Sequence, residues 1–106
     1  MNAREREQMI IDNYRRDEQT MILVFAQWCV NQRIDPVELY AHAYPRQSAN
    51  EALQEAIAQT VPPGEAAEID DDTVLTVLSL FGNEELAFAV TEEIDKIRAA
   101  KRRSSQ

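Results

Sequence analysis

Between Asn2 and Arg33 the chain has neither proline nor glycine, and in its whole length it has two glycines, Gly64 and Gly82. Sandwiches and barrels need many tight turns and the glycines that make them, so this scarcity points to helices. Within the breaker-free segment, Ile11, Tyr14, Met21 or Ile22, Phe25, and Trp28 or Cys29 recur at three- and four-residue spacing, the period of one helix face. Asp12 stands one turn before Arg15 and Arg16, a pairing that supports an exposed face. The polar run from Arg15 to Thr20 interrupts the apolar pattern. One long helix fits this stretch. So does a break near Asp17, with Asp17 and Thr20 capping a second helix.

Asp35-Pro36-Val37-Glu38 reads as a helix start. Asp35 serves as N-cap to the third amide of the helix, Pro36 needs no amide hydrogen at the first position, and Glu38 reaches back to complete a capping box. The helix covers Pro36 to Ala43 and stops before Pro45. Ser48-Ala49-Asn50-Glu51 is a second capping box, opening a helix with Ala52, Leu53, Ala56 and Ile57 that ends near Thr60. Residues 61–72 form an internal linker. It begins Val61-Pro62-Pro63-Gly64, allows one helical turn at Glu65–Glu68, and ends in the acidic run Asp70-Asp71-Asp72.

Residues 73–81, Thr-Val-Leu-Thr-Val-Leu-Ser-Leu-Phe, have strand propensity. Aspartates at the N-cap, Gly82 just past the end and the lack of any mate strand favour a helix. Its apolar residues occupy nearly every face, which predicts that this helix is central and buried. Asn83 then caps a last helix with Glu84 and Glu85 in the first turn, an apolar stripe of Leu86, Val90, Ile94 and Ile97, and a Glu92–Lys96 pair. Lys101, Arg102 and Arg103 suit its C-terminal end, with residues 101–106 as a frayed tail. The expectation is an all-α fold: one domain over residues 1–106, a compact bundle of five to six helices.

Net charge is −8, and its location is informative. The first 34 residues balance five bases against five acids, as do the last 34. Residues 35–72 hold nine acids and one base, Arg46. Such a surface repels nucleic-acid phosphates and anionic lipid heads. No apolar h-region follows Met1, and the most apolar stretch, Met21 to Val30, is too short to span a bilayer. A cytoplasmic location is expected, with no membrane contact.

Few residues offer chemistry. His42 is the single histidine and Cys29 the single thiol, so no ordinary zinc set can be built within one chain. His42 reads as a surface or packing residue and Cys29 as core; a nucleophile at Cys29 with His42 as its base is the enzymatic alternative. Asp70, Asp71 and Asp72 are adjacent, without the alternating spacing and glycine of a calcium loop, and read as capping and solvation. No phosphate-cradling glycine loop occurs, and neither a cofactor nor a small-molecule substrate is evident.

Met21–Tyr44 has the outline of a helix-turn-helix reader, but its candidate second helix carries Glu38 and no Arg or Lys. The segment Met21–Val30 is more apolar than a one-sided surface helix needs. It reads either as a buried helix packed on residues 73–81 or as a contact surface with Phe25 and Trp28 as anchors. The expected function is therefore a non-enzymatic protein-binding or regulatory module that self-associates. A protein partner or a second copy would meet Phe25 and Trp28, or the acidic Asp70, Asp71 and Asp72. The alternative is a nucleic-acid-associated or transcription-linked factor using the Met21–Tyr44 helix pair, which the charge disfavours.

Overall fold

The computed structural model describes residues 2–47, 50–66 and 68–104, with side chains throughout except at 7 and 9–15. Five α-helices and no strand are present among the described residues: α1 Ala3–Asn31, α2 Pro36–Ala43, α3 Glu51–Gln59, α4 Asp71–Leu80 and α5 Glu84–Ser104. The fold is all-α. No helix is long and apolar enough to cross a membrane, among the described residues.

The long first segment is one helix. Asn2 opens it with a capping box: its Oδ1 accepts the Glu5 amide at 2.8 Å, and Glu5 Oε2 accepts the Asn2 amide at 3.3 Å. No break occurs near Asp17, because Thr20 does not cap. Its hydroxyl donates to the Arg16 carbonyl at 2.9 Å, a bond made inside a continuing helix. Ile11, Tyr14 and the Asp12–Arg15/Arg16 pairing fall on side chains outside the described set. Helix α1 ends without glycine. The Ile34 amide bonds the Cys29 carbonyl at 2.8 Å and the Arg33 amide bonds the Val30 carbonyl at 3.0 Å, with Arg33 at φ +62°. This is a Schellman stop built on an arginine.

Helix α2 has the expected bounds, but Asp35 accepts the Val37 amide (2.9 Å), the second of the helix rather than the third. Helix α3 is capped by Asn50, whose Oδ1 accepts the Leu53 amide at 3.2 Å. Ser48 and Ala49, proposed from sequence as the start of that box, lie outside the described residues. The linker holds a turn closed by the Glu65 amide on the Pro62 carbonyl (3.1 Å), and no helical turn at the described residues of Glu65–Glu68; Ala67 is outside the set. Gly82, at φ +72°, ends α4 in a second Schellman stop, with the Asn83 amide on the Leu78 carbonyl at 2.9 Å. Helix α5 continues over 101–104 of the segment read as a tail. Three cations there face the carbonyl end of the dipole, and Ser104 Oγ donates to the Ala100 carbonyl at 3.0 Å. Ser105 and Gln106 lie outside the described residues. Lys96 pairs with Glu93 (3.1 Å) rather than Glu92.

The central helix is not α4. It is the second half of α1, which packs on α2, α3 and α4, while α5 packs on α4 and α2. With helices on several sides, Met21, Ile22, Phe25, Ala26, Trp28 and Cys29 are all buried. Helix α4 packs mainly on α1 and α5, so it buries Val74 and Leu78 and leaves Leu80 77% exposed. The molecule measures 65 × 31 × 22 Å. Its length follows from α1, whose 29 residues run well past the core; the described residues 2–6, 8 and 16–20 of its N-terminal part are exposed.

Polar side chains fix the register of these helices. Gln27, buried within α1, takes the Val61 amide on its Oε1 and gives its Nε2 to the Val61 carbonyl, both at 3.0 Å. The start of the linker is thereby held on α1. Tyr44 of α2 donates its hydroxyl to Asn83 Oδ1 at 3.1 Å, and Asn83 Nδ2 lies 3.5 Å from Met21 Sδ, joining α2, the α4–α5 turn and α1. Tyr40 accepts the Asn50 side-chain amide at 2.7 Å. Among the described residues no buried side-chain nitrogen or oxygen lacks a partner, as a uniquely packed core requires.

Candidate protein-contact surface

The residues proposed from sequence as anchors do not form a surface. Phe25 and Trp28 are fully buried inside the chain's own core. Trp28 also donates its indole N–H to Asp71 Oδ1 at 3.1 Å. The apolar excess of Met21–Val30 is covered by α2, α3 and α4, so no partner is needed to cover it. Asp71 is likewise turned to a structural task. It begins α4, accepts from Trp28, and its other oxygen lies 3.9 Å from Arg98 of α5. Asp70 holds the N-cap position of α4 without a side-chain cap bond, and Asp70 and Asp72 are exposed.

Cys29 and His42 are not built as a catalytic pair. Cys29 is fully buried. Burial first, then the negative charges of Glu93 and Asp35, push its thiol well above the ordinary range, away from the thiolate a nucleophile needs. His42 is exposed, and its Nε2 lies 3.9 Å from Glu92 Oε2. Among the described residues no group of three or more His, Cys, Asp or Glu side chains is placed to hold a metal ion. Helix α2 turns Pro36, Leu39 and Tyr40 into the core and leaves Glu38 and His42 outside.

What the fold does expose is on α5. Phe88 is 67% exposed, and with Leu80 and Val61 it is one of three large apolar side chains left outside among the described residues. Helix α5 must turn Leu86, Ala89, Val90 and Ile94 inward against α4 and α2, and residue 88 then falls on the outer face. Phe88 sits in a shallow groove between α2 and α5, with His42 and Ala43 on one side and Glu84, Glu85 and Glu92 around it. Nearby, Tyr44 packs against Tyr40 with ring centroids 5.1 Å apart. Burial and the charge of Glu85 raise the Tyr44 phenol above its usual range, so it stays a proton donor to Asn83. An aromatic ring inside an acidic rim fits an apolar anchor flanked by basic side chains.

Sequence reading missed Phe88 because it stood outside the stripe used to define the helix. The signal was present: it is one large apolar residue out of phase with Leu86, Val90, Ile94 and Ile97.

The same chain has relatives. The YxiS family model matches residues 2–95. A relative from Bacillus subtilis (strain 168), with the name "Uncharacterized protein YxiS", is 53% identical over 89 residues, which is 83% of this chain and 93% of the relative. No solved structure matches. The chain belongs to the YxiS family.

Proposed function

We propose that this chain is a non-enzymatic protein-binding module that acts through the outward face of α5, self-association included. The exposure of Phe88 within an acidic rim carries this reading. A solvent-exposed phenylalanine on an ordered helix adds nothing to the core, and aromatic residues, phenylalanine included, are enriched at protein interfaces relative to the rest of the surface. The apolar stretch of α1, the other candidate, is already used inside the chain.

The test compares wild-type and Phe88→Ser protein, each immobilised and exposed to extract of the source cells. Because Phe88 is exposed, the substitution should leave the far-ultraviolet circular dichroism and the melting temperature within about 2 °C of wild type. Proteins retained by wild type and lost on Phe88→Ser are expected. Identical retention by both rejects the α5 face as the contact, as does retention by neither when wild type also stays monomeric at about 100 µM.

A further inference from the structure

We infer that α5 pairs with α5 of a second copy, antiparallel about a two-fold axis, through the stripe Glu84, Phe88, Thr91, Asp95, Arg98 and Arg102. This rests on the reading of the chain as a protein-binding module and names the occupant of its contact face.

The stripe follows from helix geometry. Those six positions are spaced alternately four and three residues apart, so at 3.6 residues per turn they lie along one line of the helix. All six are exposed. The opposite line, Leu86, Val90 and Ile94 with Ala89, is buried against the rest of the fold. The stripe is thus the outermost line of the helix, and it contains Phe88.

Charge selects the partner and its direction. From Glu84 to Asp95 the helix has five acids and no base; from Lys96 to Arg103 it has five bases and no acid. The helix dipole favours anions at the start and cations at the end, but only within the first and last turns. It accounts for Glu84, Glu85 and Lys101–Arg103. It does not account for Asp95, about three turns past the start, or for Arg98, which lies before the last turn. A parallel pair would set acid on acid and base on base. An antiparallel pair sets the acidic half of each helix on the basic half of the other.

A register centred at residue 93 makes every stripe contact complementary. Glu84 meets Arg102 of the second copy, Thr91 meets Asp95, and Phe88 lies under Arg98. The last contact puts a guanidinium on an aromatic face, as cations and rings prefer. Arg98 can turn to do so, since it lies 3.9 Å from its ion-pair partner Asp71 and its side chain is 63% exposed. By symmetry each contact occurs twice. The helix offers 21 residues, about 31 Å of length, which is a small interface. Association should therefore be reversible, at tens of micromolar, and weakened by salt.

Sedimentation velocity at about 100 µM protein and low salt tests this with two exposed reversals, Glu84→Arg and Arg102→Glu. Wild type is expected to form dimers. Each single variant sets like charges together at two symmetric places, and its dissociation constant should rise about tenfold or more. Mixed in equal amounts, the two variants regain opposite charge at both places, so a heterodimer should return at near wild-type affinity. Weakening by each single reversal together with that rescue needs an antiparallel pair: in a parallel pair wild type already sets like charges together, so neither reversal would weaken it, and a merely sticky surface would show no rescue. A wild-type monomer at this concentration, a dimer indifferent to both reversals, or a mixture that fails to associate overturns the pairing. If Phe88-dependent capture of other proteins persists in any of those cases, the binding-module reading survives and the α5 pairing alone falls.

Discussion

Arg33 carries a cost that the rest of the chain absorbs. Among the described residues it is the one non-glycine position at positive φ, at +62°. That conformation costs an L-residue with a β-carbon roughly 1 kcal/mol. It persists because the Schellman stop turns the chain so that Ile34 packs on the core and Asp35 can open α2. The side chain of Arg33 is exposed and its loss leaves no cavity. Arg33→Gly relieves that strain but adds the greater chain entropy of glycine, roughly 0.5 kcal/mol, and is expected to stabilise the protein by about 0.5 kcal/mol, as read by urea denaturation. An unchanged or lower midpoint would show that the turn is not strained. Gly82, in the equivalent place after α4, was legible in the sequence because glycine marks such stops. Arg33 was not, since no local pattern distinguishes an arginine at +62° from one on an exposed helix end. Gln27 was hidden for a similar reason. It is the one polar residue in the Met21–Val30 run, and only the return of Val61, 34 residues later, shows it as a clamp.

At the level of elements, helix starts and stops were legible because caps are local chemistry. Pro36–Ala43 was found to the residue, and the single-helix alternative for α1 was decided by Thr20 bonding back to Arg16. Which helix is central was not legible. Apolar residues on every face tell how much of a helix could be buried, not how many neighbours it receives. Helix α4 has the composition of a buried helix but packs mainly on two others, α1 and α5. Its attachment leans on the Trp28–Asp71 hydrogen bond, which ties α4 to α1. Asp71→Ala would leave the buried indole N–H without its acceptor and should cost about 1–3 kcal/mol. Asp71→Asn keeps an acceptor and should cost less. Thermal melts of the two variants, with Trp28 fluorescence as a probe of the indole's surroundings, check the order. Equal melting temperatures for wild type and Asp71→Ala would mean that the hydrogen bond contributes nothing to the docking of α4.

For the whole molecule, charge acts in opposite senses on folding and on association. Residues 35–72 hold nine acids against Arg46, and all of the acids but Asp71 are exposed. Folding gathers them onto α2, α3, the linker and the start of α4, where their mutual repulsion opposes the compact state. Working against this are the ion pairs Lys96–Glu93, at 3.1 Å, and Arg98–Asp71, at 3.9 Å. Exposed pairs of this kind contribute about 0–1 kcal/mol each, so the repulsion should win. Screening by salt then stabilises the monomer: between about 0.02 and 0.3 M sodium chloride the screening length falls several-fold, and the melting temperature should rise by about 2–4 °C. Pairing through α5 joins opposite charges, and the same salt should weaken it. Dimerisation itself raises the melting temperature by mass action, so the two effects must be separated by concentration. At about 1 µM protein, where the α5 pair is dissociated, salt should raise the melting temperature. At about 100 µM it should raise it less, because the gain in the monomer is offset by loss of the dimer. A melting temperature that falls with salt at low concentration would mean that the ion pairs outweigh the repulsion. A salt response that is the same at both concentrations would mean that association does not depend on the charges of α5.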